Sequence, residues 1–246
     1  MAHWPNVRIA VIAVALSSPA PAQVQQKLAI APSLPAPQDG VYAVGEDPSF
    51  MIDHAFGMTR LRFVGSDEVF YLSSEPSTLG GRVLKYDTGE TALAVTGWGG
   101  VTLYSKSAPS GTPAERIGEP APVDPMPVSS HDAKYFAAAL SQRLADRDNL
   151  AIGFATRWEW LSNEDTARAL ATDAMRNATY AIEELANSRE RRNSLVARLR
   201  VVRIVAGTSR NVDVQGDALV VTFSQAGGPA ARPSSLAIFE AISGKF

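Results

Sequence analysis

Six prolines (Pro109, Pro113, Pro120, Pro122, Pro125 and Pro127) fall between Lys106 and Ser130, interspersed with Ala, Gly and Ser. Proline has no backbone N–H to give and a fixed φ, so such a stretch forms neither a helix interior nor a central strand. It divides the chain into a block before it and a block after it. The expected layout is a signal peptide at 1–22, a flexible leader at 23–39, an all-β block at 40–105, a Pro-rich linker at 106–130 and an α+β block at 131–246.

The first 22 residues read as an export signal. Met1 to Arg8 carries one Arg and no acid, and Ile9 to Leu16 is an unbroken apolar run. Ala20-Pro21-Ala22 then places small residues where a signal peptidase cuts. The run is too short for a hydrocarbon core, which needs about 20 residues. Arg outnumbers Lys by 18 to 5, a bias that fits a GC-rich bacterial genome, so the expected location is periplasmic or secreted. Gln23 to Gln38 is rich in Gln, Ala and Pro without a sustained apolar period, which is the pattern of a flexible leader.

Between Gly40 and Ser105 short apolar runs recur at even spacing: Val41–Val44, Phe50–His54, Thr59–Val64, Val69–Ser73, Arg82–Tyr86, Thr91–Thr96 and Val101–Tyr104. Turn chemistry separates them, as in Phe56-Gly57, Gly80-Gly81, Asp87-Thr88-Gly89 and Gly97-Trp98-Gly99-Gly100. Arg60 and Arg62 alternate with Leu61 and Phe63, as in a half-buried antiparallel strand. The block is expected to be an antiparallel meander curled into a small barrel or sandwich.

After the prolines, Tyr135, Phe136, Ala139, Leu140 and Leu144 recur at helical spacing behind a Ser129-Ser130 cap. Leu150 to Leu161 reads as a strand. Ser162-Asn163-Glu164-Asp165 offers an acidic variant of the capping box, followed by a long helix marked by Ala167, Leu170, Ala171, Ala174, Ala178, Ala181, Ile182 and Leu185. Leu195 to Val205 alternates like a strand, although a helical continuation fits the periodicity too. Asn211–Val214 and Ala218–Ser224 flank a hairpin turn. Ser234-Ser235 caps a last helix with Leu236, Phe239 and Ile242 on one side. The expected fold class is therefore α+β: a β meander, then a helix-strand-helix-strand-hairpin block.

The composition is that of a folded protein, 46% apolar and 20% charged with a formal net charge of −2. A near-neutral chain lacks the basic excess that nucleic-acid binding needs. The absence of cysteine excludes disulfides, thiolate metal sites and a cysteine nucleophile. With His54 and His131 the only histidines after the signal, no metal site and no cofactor are expected, and no Gly-x-Ser-x-Gly elbow is present. Asp87-Thr88-Gly89 matches the short aspartic-protease signature, but Lys85-Tyr86 before it, Glu90 after it and the lack of a second copy favour a plain turn.

Three tryptophans and a cluster of arginines are the candidate binding residues. On a strand, Trp158 and Trp160 would share a face about 7 Å apart and stack on a sugar or peptide, or else anchor the core. Trp98 is either an exposed tip or a lid on the first block. Arg189, Arg191 and Arg192 open a run that continues through Arg198, Arg200 and Arg203, a patch suited to an anionic surface or envelope glycan, or to pairing with Glu183, Glu184 and Glu190.

Tyr86-Asp87-Thr88-Gly89-Glu90, Gly97-Trp98-Gly99-Gly100-Val101-Thr102-Leu103-Tyr104 and Arg232-Pro233-Ser234-Ser235 resemble segments of a domain of unknown function found in exported bacterial proteins. That resemblance implies export and a shared fold, and it assigns no catalytic residue. The functional expectation is a non-enzymatic binding or structural component of the bacterial cell envelope. The alternative is a periplasmic hydrolase acting on envelope material through Asp87, His54 or Glu159. The partner's identity is unknown.

Overall fold

The short apolar runs of the first block alternate inside and outside because successive side chains on a strand point to opposite faces. In the computed structural model, which describes residues 36–45, 47–121 and 129–246, they form eight strands: β1 (Gly40–Val44), β2 (Asp47–Ala55), β3 (Met58–Phe63), β4 (Phe70–Pro76), β5 (Arg82–Lys85), β6 (Thr91–Val95), β7 (Val101–Leu103) and β8 (Thr112–Gly118). Each pairs antiparallel with the next, and β8 returns to β1 through Val41↔Gly118 and Ala43↔Glu115, closing a barrel. The inward positions include Tyr42, Val44, Phe50, Ile52, Leu61, Leu72, Leu84, Leu93 and Leu103, all buried. Tyr42 stacks on Phe50 with centroids 5.3 Å apart, and Phe70 meets Tyr86 edge-on at 5.2 Å. The interior is filled by side chains, as in other eight-stranded barrels of this size.

Seven of these strands coincide with the apolar runs. The eighth, β8, lies inside the stretch expected to be linker. Pro113 is its second residue, where a missing N–H is tolerated, and Glu115, Arg116 and the exposed Ile117 hide any alternating signature. Closure requires it all the same, because an open meander would leave two unpaired edges. The last residues of the expected leader also have fixed partners: Gln38 accepts a hydrogen bond from the Tyr42 hydroxyl, and the Asp39 carboxylate meets His54 Nδ1 at 2.5 Å. The expected signal peptide and the expected leader up to residue 35 lie outside the described residues.

The second block contains α1 (Ser130–Asp148), β9 (Gly153–Ala155), α2 (Trp158–Leu161), α3 (Asp165–Ala186), α4 (Arg189–Arg198), β10 (Val201–Gly207), β11 (Asn211–Gln215), β12 (Ala218–Ser224) and α5 (Ser235–Ser243). The sheet order is β11-β12-β10-β9, with β9 and β12 parallel to β10 and β11 antiparallel to β12. α3 packs against β10, β12, α1 and α5, so that α1, α3 and α5 lie over one face of the sheet. Val202, Ile204, Leu219, Val221 and Phe223 point into that shared core. α3 is buried nearly all round, including Met175, Ala178 and Ile182, which is the pattern of a central helix. The opposite sheet face carries Arg203, Val205, Val220 and Thr222, none of them fully buried.

Several expectations change in this block. Leu150–Leu161 is not one strand: β9 takes three residues and Trp158–Leu161 is helical. Leu195–Val205 divides between the end of α4 and the start of β10, so both periodicities were present in succession. The acidic capping box does not form, since Glu164 is the N-cap of α3 and makes no side-chain cap bond. Ser129 does cap α1, accepting from the Asp132 N–H at 3.0 Å, but Tyr135 faces solvent. No helix among the described residues is long and apolar enough to cross a membrane.

The β2–β3 hairpin turns on Phe56 and Gly57, with φ of 54° and 73°. A two-residue turn of this hand needs positive φ at both positions, which Gly accepts and a bulky aromatic resists. Phe56 is 74% exposed, so little packing offsets the strain. Phe56→Asn is expected to raise stability by about 1 kcal/mol, measured by urea denaturation with an unchanged m-value.

Candidate functional site

The sequence motifs Asp87-Thr88-Gly89 and Arg232-Pro233-Ser234-Ser235 meet in space. The first is a turn between β5 and β6, with Gly89 at φ 90° and its N–H on the Tyr86 carbonyl at 3.0 Å. The second leads into α5, where Ser234 is the N-cap and its Oγ accepts from the Ala237 N–H at 3.1 Å. Asp87 accepts from the Ser234 N–H at 2.8 Å and from its hydroxyl at 2.5 Å. Glu68, which precedes β4, does the same for Ser235 at 2.8 and 2.5 Å. Two barrel carboxylates thus each clasp one serine of the second block. Both lie at a helix N-terminus, where the macrodipole favours negative charge.

Arg232 sits between them and is 2% exposed. It donates to the Asp173 carboxylate on α3 and to the Val69 carbonyl of the barrel at 2.7 Å, and it lies over the Tyr71 ring at 5.2 Å. Asn177, fully buried on α3, donates to the Pro233 carbonyl at 2.9 Å. Arg176 on the same helix reaches the Asp67 carbonyl, and Leu236 packs on the barrel core. Desolvation pushes the Glu68 carboxyl up to about 7, against the lowering effects of the Ser235 hydrogen bonds and Arg232, with the Asp87 charge adding to the rise. Desolvation likewise lowers Arg232, with the Glu68 charge opposing.

This cluster contains serines beside carboxylates, yet its geometry does not admit a substrate. The space bounded by Tyr71, Asp87, Arg232 and Ser234 is about 10 Å³, barely one water. Each hydroxyl is committed to a carboxylate and no imidazole is within the cluster. It is a joint between the two blocks.

The expected site residues lie elsewhere, and they are not brought together. Trp98 is an exposed tip of the β6–β7 hairpin, 82% accessible. Trp158 and Trp160 do not share a strand face: on α2, residues two apart point about 200° from each other, and each lines a different cleft. Trp158 borders an open groove of about 650 Å³ between α1 and β9, with Ala138, Ala145 and Phe154. Trp160 borders a cleft of about 400 Å³ with Arg157 and Arg203, beside β9 and β10. Both rings are half-buried and also pack against the core.

Arg189, Arg191 and Arg192 are on the first turn of α4. Arg192 is tied to the Ala186 carbonyl at 2.9 Å. The acidic partner expected from sequence, Glu183, is taken instead by Arg143 at 2.5 Å and Arg147 at 3.0 Å, both on α1. His54 pairs with Asp39, while Glu159 is exposed on α2. Sequence reasoning missed Glu68 and Arg157 as site residues. Nothing in Asp67-Glu68-Val69 announces burial, and Arg157 stood inside a segment taken for strand.

The raised Glu68 carboxyl makes stability depend on pH. The folded state holds that proton more tightly than the unfolded chain, so stability falls as pH rises from about 4.5 and the loss is complete above about 7. The span corresponds to about 3 kcal/mol. Glu68→Gln, which keeps the uncharged shape, is expected to flatten this slope in urea unfolding followed across pH 4.5 to 8. Ser235→Ala, which removes a donor from a buried carboxylate, is expected to cost about 1–3 kcal/mol at pH 8.

Residues 23–242 match the family model described as Domain of unknown function (DUF4908). No curated protein and no solved structure matches the chain. The matched span takes in the whole barrel, the interlobe joint with its Asp87 and Arg232-Pro233-Ser234-Ser235 elements, and all but the end of α5. The chain belongs to the DUF4908 family, a domain of unknown function.

Proposed function

We propose that this chain is a non-enzymatic binding or structural component of the bacterial cell envelope. The supporting observation is a division of labour among its polar residues. The serine and carboxylate groups with catalytic chemistry are spent on a joint with room for one water, whereas Trp158 and Trp160 border clefts of about 650 and 400 Å³. Those volumes fall in the range of ligand sites. An envelope glycan or an anionic surface is the partner class that tryptophans and free arginines suit. The export reading of residues 1–22 supplies the location.

Two measurements test the reading. Mass spectrometry of the native product from fractionated cells is expected to find it in the envelope fraction, beginning at Gln23. Recovery from the cytosol with Met1 attached would overturn the location. In a thermal-shift panel of peptidoglycan fragments, oligosaccharides and anionic lipids, a true ligand at 100 times its Kd adds about 2.7 kcal/mol. Release of soluble fragments from any of these materials would instead favour the hydrolase.

A further inference from the structure

β9 and β10 run parallel, and their pairing ends at Ala155↔Arg203. The chain then leaves β9 for α2, while β10 continues to Gly207 with no strand beside it on that flank. The early departure of β9 opens the cleft of about 400 Å³ at the carboxyl ends of both strands, the place where open sheets with parallel strands hold ligands. Ala155 lies beside Arg203 in register on the same sheet face, too small to fill the space. Val205 and the half-buried Trp160 supply apolar walls, and Thr156 adds a hydroxyl.

The electrostatics of this cleft differ from those of the arginine-lined groove beside the barrel. In the groove between barrel and α3, of about 330 Å³, Arg60 is held by Asp53 and Arg176 by Asp173, so their charges are already met. The side chains of Arg157 and Arg203 are exposed and have no hydrogen-bond or ion-pair partner among the described residues, and no carboxylate lines their cleft. Two unpaired guanidinium groups beside one apolar wall call for a ligand that brings both negative charge and a flat or apolar body.

We infer that the cleft bounded by Arg157, Trp160 and Arg203 binds a small organic anion, with the guanidinium groups holding the acidic group and Trp160 its apolar part. The inference rests on the binding reading above but not on the cellular location. A fluorescent probe of this class, anilinonaphthalene sulfonate, tests it on the full-length chain, with the uncharged phenylnaphthylamine as its control.

Saturable binding of one sulfonate per chain is expected, with energy transfer from the tryptophans of α2 that Trp160→Phe lowers. The double variant Arg157→Gln/Arg203→Gln is expected to weaken it at least tenfold. The uncharged probe should not distinguish the wild type from that double variant. Because Arg157 and Arg203 are exposed, an unchanged thermal melt is expected for this variant. Equal sulfonate affinity in wild type and Arg157→Gln/Arg203→Gln would overturn the assignment, as would equal affinity of the wild type for the two probes or the absence of saturable binding. None of these outcomes bears on whether the chain is exported, which the mass spectrum decides separately.

Discussion

Two serines at the start of one helix accept the barrel as their neighbour by giving both of their donors to its carboxylates. An N-cap normally satisfies the orphan N–H groups of a helix from within its own chain segment. Here Ser234 keeps that role toward Ala237 while its own N–H and hydroxyl go to Asp87. Ser235 does the same with Glu68. Burying carboxylates is costly unless each oxygen is hydrogen-bonded, and each oxygen of this pair is. Arg232 adds a cation that touches both blocks through Asp173 and Val69. The helix layer that covers the sheet is thereby fixed to the barrel wall, and the two blocks form a single unit.

This arrangement leaves the two clefts beside α2 away from the joint. The side of the second block that meets the barrel is occupied by the joint and by α3, while α2 and the carboxyl ends of β9 and β10 border open clefts. The short β9 leaves space on one flank of α2, and the small side chains of α1 leave it on the other. A tryptophan from α2 stands at each. Both rings rest on the core, so their positions are set by packing, which would lower the ordering cost of the proposed binding.

The barrel was legible in the sequence wherever strand alternation and turn glycines agreed. Thr59–Phe63 shows this directly, with Leu61 inside and Arg60 and Arg62 outside. β8 was not legible because closure is a long-range requirement, and its own residues carry a proline and four polar or exposed positions. The WEW segment misled because two tryptophans at spacing two fit a strand, whereas tertiary packing between β9 and α3 gives a single helical turn. The joint was half legible. Both of its motifs stood out, but the pairing of Asp87 with a serine 147 residues later has no local signal, and the burial of Glu68 has none at all. The arginine patch was visible as charge, while only the structure separates arginines already paired from those left open, such as Arg157 and Arg203.

Differential scanning calorimetry of the full chain near pH 6 tests the central claim, that the carboxylate–serine joint makes barrel and α+β block one cooperative unit. A single transition whose calorimetric and van't Hoff enthalpies agree is expected. Two resolved transitions, one for each block, would contradict it.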